Sequence, residues 1–158
     1  MYDLENLCTD IETLLKANLN TKISAINTEK NDSTSLDTID SSAYFFQSLD
    51  GKQINYDPVI IYGISGFDPS PDGAWGFTPI HVDIDIAVVK ADNGEDLNIS
   101  NRMLRYQRAL REVIEDNFFN LDSKVKLSVQ NQIPVNLALL NSSYTHKGIG
   151  ITVKALMG

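Results

Sequence analysis

Apolar positions along the chain fall into two rhythms. Leu4, Leu7, Cys8, Ile11, Leu14 and Leu15 recur at helical spacing, which predicts an amphipathic helix from about Asp3 to Ala17. Ile23 and Ile26 carry it past the Asn18-Leu19-Asn20 break to Glu29, so the N-terminal helix is set at about 3–29. NDSTSLDTIDSS, residues 31–42, has neither rhythm and reads as a polar loop. Asp50-Gly51, between Tyr44-Phe45-Phe46 and Ile54-Asn55-Tyr56, predicts a β-hairpin turn. Val59 to Ile64 is apolar on both faces, the mark of a central strand.

IHVDIDIAVVK, residues 80–90, alternates strictly. Ile80, Val82, Ile84, Ile86 and Val88 take one face of a strand, and His81, Asp83 and Asp85 the other. A second helix is predicted over roughly 99–118, capped by Asn98 or Ser100. Its stripe is Met103, Leu104, Tyr106, Ala109, Leu110, Val113, Ile114 and Phe118. Val125, Leu127 and Val129 then alternate with polar residues, and Pro134 marks an edge or a bend. The last strand, HKGIGITVKAL, turns Ile149, Ile151, Val153 and Ala155 inward. Gly148 and Gly150 on its other side predict close approach of another group. Helix, strands, helix, strands is the order of an α+β domain with a mostly antiparallel sheet flanked by two main helices. The 158 residues form a single domain, 1–158, without an internal repeat.

Composition narrows the classes. Hydrophobic residues make up 42% and charged ones 22%, ordinary for a globular domain. No apolar run reaches membrane-span length, and the opening MYDLENLCTD has acids where a secretion signal carries bases, so no membrane association is expected. The single cysteine, Cys8, excludes an internal disulfide and sits among apolar neighbours as a small core residue. A net charge of −8 argues against a general nucleic-acid binder. That charge is uneven: residues 31–96 hold 12 acids and 2 bases, residues 97–158 hold 4 acids and 8 bases. Halves of opposite sign suit head-to-tail association, but charge alone favours two solvated sets.

Three groups of residues invite a functional reading. Carboxylates at i and i+2 on one strand project together, so His81, Asp83 and Asp85 could hold a divalent metal, but polar residues are the norm on the open face of an antiparallel strand, and this is the reading taken. Unless a bulge intervenes, Lys90 points to the opposite face, as a two-metal nuclease would not want. Arg102, Arg105, Arg108 and Arg111 recur every three residues and form either a solvated helix face or a row of guanidinium forks for another chain's carboxylates. Residues 66–79, GFDPSPDGAWGFTP, read as a long loop. Its Phe67, Trp75 and Phe77 either dock a partner or plug the end of the sheet. No phosphate-binding glycine motif and no GxSxG elbow occurs, so neither cofactor nor enzymatic activity is expected.

DLENLCTDIETLLKANLNTKISAI, PVIIYG, VDIDIAVV, RMLRYQRALREVI and GIGITVKAL follow one another over nearly the whole chain. In order and pattern they resemble the tail-terminator (tail-completion) proteins of long-tailed bacteriophages. The resemblance implies a homo-hexameric ring in the virion neck, assembled in the host cytoplasm. It would cap the tail tube protein, stop its polymerisation and meet the head connector, with DNA passing through without sequence-specific binding. It implies that Arg102, Arg105, Arg108 and Arg111 face a neighbouring subunit, and that His81, Asp83 and Asp85 line the lumen or an inter-subunit face. Another neck or connector protein shares the same pattern, and a divalent-metal-dependent nuclease on the His81/Asp83/Asp85 face is the alternative from a different class.

Overall fold

The computed structural model describes residues 3–46, 55–69, 80–92, 94–117, 125–138 and 145–157. It is an α+β fold: two helices lie on one face of a five-stranded sheet. Helix α1 spans Leu4–Lys30 and helix α2 spans Ile99–Asp116. The strands are β1 (Tyr44–Phe46), β2 (Val59–Pro69), β3 (Ile80–Asp92), β4 (Val125–Ala138) and β5 (Thr145–Met157), in the order β1-β2-β3-β5-β4.

Helix α1 is continuous through Asn18-Leu19-Asn20. It opens on a capping box, in which Asn6 N donates to the Asp3 carboxylate and Asp3 N donates to the Asn6 side chain. It closes at Asn31, whose left-handed φ of 44° lets its N–H reach Asn27 O. Leu7, Ile11, Leu15, Leu19, Ile23 and Ile26 are buried along one stripe, and Cys8 is buried among them, which raises its thiol pKa. That stripe outweighs the poor helix propensity of the asparagines. Helix α2 begins after Asn98, but the Asn98 side chain makes no cap bond. Asp96, two residues earlier, accepts from Asn98 N instead.

Register fixes the two sheet faces. Tyr62 pairs with Ile86, Ile84 with Val153, Ile86 with Ile151 and Val88 with Ile149, so these residues share the face under the helices. All are buried in one core with the α1 and α2 stripes. The predicted close approach is found at Gly150: an added Cβ would stand 2.5 Å from the Ile86 carbonyl of the next strand.

Two expectations are corrected. Tyr44–Phe46 is a strand, but its described partner is β2, in parallel, and not a hairpin arm at Asn55-Tyr56. Asn55 and Tyr56 are not strand, and Asp50-Gly51 lies outside the described residues. The loop expected from residue 66 begins later. After a register shift between Ile64 and Gly66, β2 continues through Phe67 to Pro69, pairing with His81, Val82 and Ile80 of β3. A bulge restores antiparallel pairing after one extra residue, so glycine and proline content alone misplaces that boundary.

Strand β4 is an edge strand and runs through Pro134, with its own register shift between Val129 and Asn131. Bulges and prolines are how exposed strands avoid pairing with other sheets. Each of the two longest outer stretches, β4 and the far end of β2, carries both.

Candidate functional site

The face of the sheet away from the helices holds His81, Asp83 and Asp85 of β3, all half-buried. Asp85 accepts a 2.7 Å hydrogen bond from the Thr152 hydroxyl, its register partner on β5. Asp83 lies opposite Lys154, with Nζ 3.9 Å from Oδ1. On its other side stands Gly66, where a Cβ would come within 3.0 Å of Asp83 Oδ2, so the glycine makes room for the carboxylate. Successive outward positions on a strand lie about 7 Å apart. The two carboxylates therefore turn to separate β5 partners and do not converge. Among the described residues no three His, Cys, Asp or Glu side chains stand close enough together to hold a metal ion. Lys90 bonds to Asp37 at 3.0 Å and Asp57 at 3.4 Å, away from Asp83 and Asp85. A shallow depression beside this row is lined by Ile61, Gly63, Ser65, Asp85 and Ala87.

The arginine row finds carboxylates within its own chain. Arg102 pairs with Asp96 at 2.9 Å and donates to the Ser35 carbonyl. Arg105 grips Asp32 with both Nη atoms, at 2.8 and 2.6 Å, and donates to the Thr34 carbonyl. Arg108 forks onto Glu29 at 2.9 and 2.6 Å and bonds Glu112 at 2.7 Å through Nε. Among the described residues Arg111 pairs with Glu115, at 3.5 Å. Asp32 is held down to about 2 by the Arg105 bond, helped by the Thr34 N–H. Asp96 and Glu29 are also lowered, by Arg102 and Arg108 respectively. The acidic and basic stretches of sequence thus meet inside one protomer, at Arg102–Asp96, Arg105–Asp32 and Lys154–Asp83.

Sequence reasoning missed the side chains that organise residues 31–42. Asn27 and Asn20 of α1 and Tyr106 of α2 each bond both the N–H and the C=O of one residue there: Leu36, Ile39 and Asp37. The available signal was an asparagine on the buried side of an amphipathic helix, two turns from a second one. Such an amide needs a partner. Tyr106, fully buried, has its hydroxyl pKa raised by burial and by the nearby Asp37 charge.

Phe67 is 51% exposed near the end of β2. Trp75 and Phe77, the other two residues of the candidate docking loop, lie outside the described residues. No helix among the described residues is long and apolar enough to cross a membrane. Comparison with protein-family models finds none that matches this chain, and comparison with curated proteins finds no match either.

Proposed function

We propose that this protein is a structural component of a phage neck: a ring-forming tail terminator that caps the tail tube and joins it to the head connector. The ring is a homo-hexamer in the virion, and DNA passes through it without sequence-specific contacts. The observation that carries this reading is the state of the His81/Asp83/Asp85 face. Asp85 is bonded by Thr152, and Asp83 stands apart from it with Lys154 Nζ 3.9 Å away, so the two carboxylates face different β5 neighbours, as on a surface that meets something and not at a site that activates water. The fragments that carry the resemblance also fall on α1, β2, β3, α2 and β5 in the expected order.

Subunits in this reading associate through side-chain faces, because the long outer strands carry bulges and prolines. Within the arginine row, Arg111 has the most capacity left for a neighbour: its side chain is 39% exposed, and its ion pair among the described residues, with Glu115, is at 3.5 Å. Arg102 and Arg105 are 15% and 13% exposed and already engaged, so a neighbour would compete with bonds inside the chain.

The test is cryo-electron microscopy of virions, or of recombinant tail tubes mixed with the protein. A single added layer at the head-proximal end is the expected result. Density elsewhere in the neck moves the role to a connector. Absence from every particle, together with divalent-ion binding lost in Asp83→Ala or Asp85→Ala, replaces the reading with a metal-dependent enzyme.

A further inference from the structure

Residues 32–39 run between α1 and α2, and every described hydrogen bond to their backbone comes from a side chain. Thr34 and Ser35 carbonyls accept from Arg105 and Arg102. Asn27 takes both backbone groups of Leu36, at 2.9 and 2.7 Å. The Tyr106 hydroxyl takes both of Asp37, at 3.0 and 2.9 Å. Asn20 takes both of Ile39, at 2.9 and 2.8 Å. The remaining bond is from Thr34 N to Asp32 of the same segment. Strands and helices are held by backbone ladders; a segment held this way has the bonding of a bound peptide.

The spacing fits an extended chain. Seven helical residues from Asn20 to Asn27 rise about 10.5 Å. Three extended residues from Leu36 to Ile39 span about 10 Å. A carboxamide offers one acceptor and donors side by side, so it matches the N–H and C=O of one residue whatever its side chain. Selectivity then comes from two aliphatic seats and one fork. Leu36 and Ile39 are 4% and 2% exposed, and Asp32 lies in the bidentate grip of Arg105.

We propose that the α1–α2 groove is a peptide-binding site occupied in cis by residues 32–39. In trans it takes an extended acidic segment of a partner protein. That segment carries two aliphatic residues three apart, with a carboxylate four positions before the first. The cis segment sits at the high effective concentration of a tethered ligand, so the groove is largely closed until the segment is displaced. Displacement also frees Arg102 and Arg105. This inference is independent of the neck assignment.

The probe is a fluorescent peptide of residues 31–41, NDSTSLDTIDS, titrated by anisotropy. The full chain carrying Leu36→Asp and Ile39→Asp, which loosens the cis segment and leaves the groove side chains intact, is expected to bind it at least about tenfold more tightly than wild type, the size of the removed competition. Adding Asn20→Ala and Asn27→Ala is expected to abolish the gain. A folded double variant that binds no better than wild type, or a gain indifferent to the two asparagines, overturns the proposal. Should that variant not fold, hydrogen exchange on wild type decides. Amides of Leu36, Asp37 and Ile39 are expected to exchange at least about tenfold faster than those of Ile84 and Ile86, as a separately opening segment must. Exchange of both sets together means that the groove never opens alone, and also overturns it.

Discussion

Asn27 and Leu36 are bonded through both ends of one amide: Nδ2 donates to the Leu36 carbonyl at 2.9 Å, and the Leu36 N–H donates to Oδ1 at 2.7 Å. The pair joins a helix to a segment with no regular structure, and Asn20 repeats it two turns away on Ile39. Burying Leu36 and Ile39 takes their backbone groups out of water, which is unfavourable unless each finds a partner. The asparagines supply those partners, so apolar burial and polar satisfaction happen in one step.

Asn27→Ala leaves both backbone groups of Leu36 without their partner. The expected loss is about 1–3 kcal/mol of unfolding free energy, read by urea denaturation. Asn20→Ala is expected to cost a similar amount. Because both act on one segment, the double variant is expected to fall short of the sum by at least about 0.5 kcal/mol. Strict additivity would mean that the two pairs hold the segment independently.

The buried stripes of both helices and the alternation of β3 and β5 were legible because each repeats over many residues. Ile84 and Ile86 on β3, or Ile11 and Leu15 on α1, could occupy no other face. The attachment of residues 31–42 was not legible, since it rests on contacts between Asn20 and Ile39 or Tyr106 and Asp37, far apart in sequence. The arginine row was visible as a pattern, but its partners Asp32 and Glu29 were not. Charge spacing gives a helix face, and only the fold says what stands opposite. The pairing of Tyr44–Phe46 was hidden for a related reason: the stretch has strand character, and local pattern could not show that it pairs in parallel with β2.

Gly150 and Gly94 make a paired test. At Gly150 an added Cβ meets Ile86 O at 2.5 Å and Ala87 Cα at 3.2 Å, both backbone atoms of the central strand. The Gly150 carbonyl is also held by the buried Gln107 Nε2 at 3.0 Å, so the strand has little freedom to move aside. Gly150→Ala is expected to cost about 1–3 kcal/mol through overpacking. Gly94 has open space around it but a φ of +86°, so Gly94→Ala is expected to cost about 1–2 kcal/mol through backbone strain. Calorimetric melting of the two variants checks the order, with Gly150→Ala expected to melt lower.

Acid should loosen the 32–39 segment before it reaches the core. Asp32 has its pKa lowered from 3.8 to about 2 by the Arg105 bond and the Thr34 N–H. A carboxyl with a depressed folded-state value contributes stability that is fully present above its unfolded value. That contribution fades as pH falls from about 4 towards 2. Asp32→Asn removes it, so the variant is expected to be less stable than wild type at neutral pH and to converge with it near pH 2. Melting temperatures across that range test the sign; a gap that stays constant with pH would show that the Asp32 charge contributes nothing.

Arg108 separates an in-chain role from one between subunits. It forks onto Glu29 and bonds Glu112, and its pKa is raised by both, Glu29 first. Arg108→Glu sets like charges at both contacts and is expected to lower the denaturation midpoint. Combining it with Glu29→Arg restores an attractive pair between the helices, so much of the loss is expected to return. Exposed pairs of this kind are weak, and the recovery should diminish in high salt. Tube capping then reads the other role. If position 108 also meets a neighbour's acids, the swapped chain regains its own stability but still caps tubes poorly, because the charge it offers outward is reversed. Recovery of capping together with stability would confine Arg108 to its own chain.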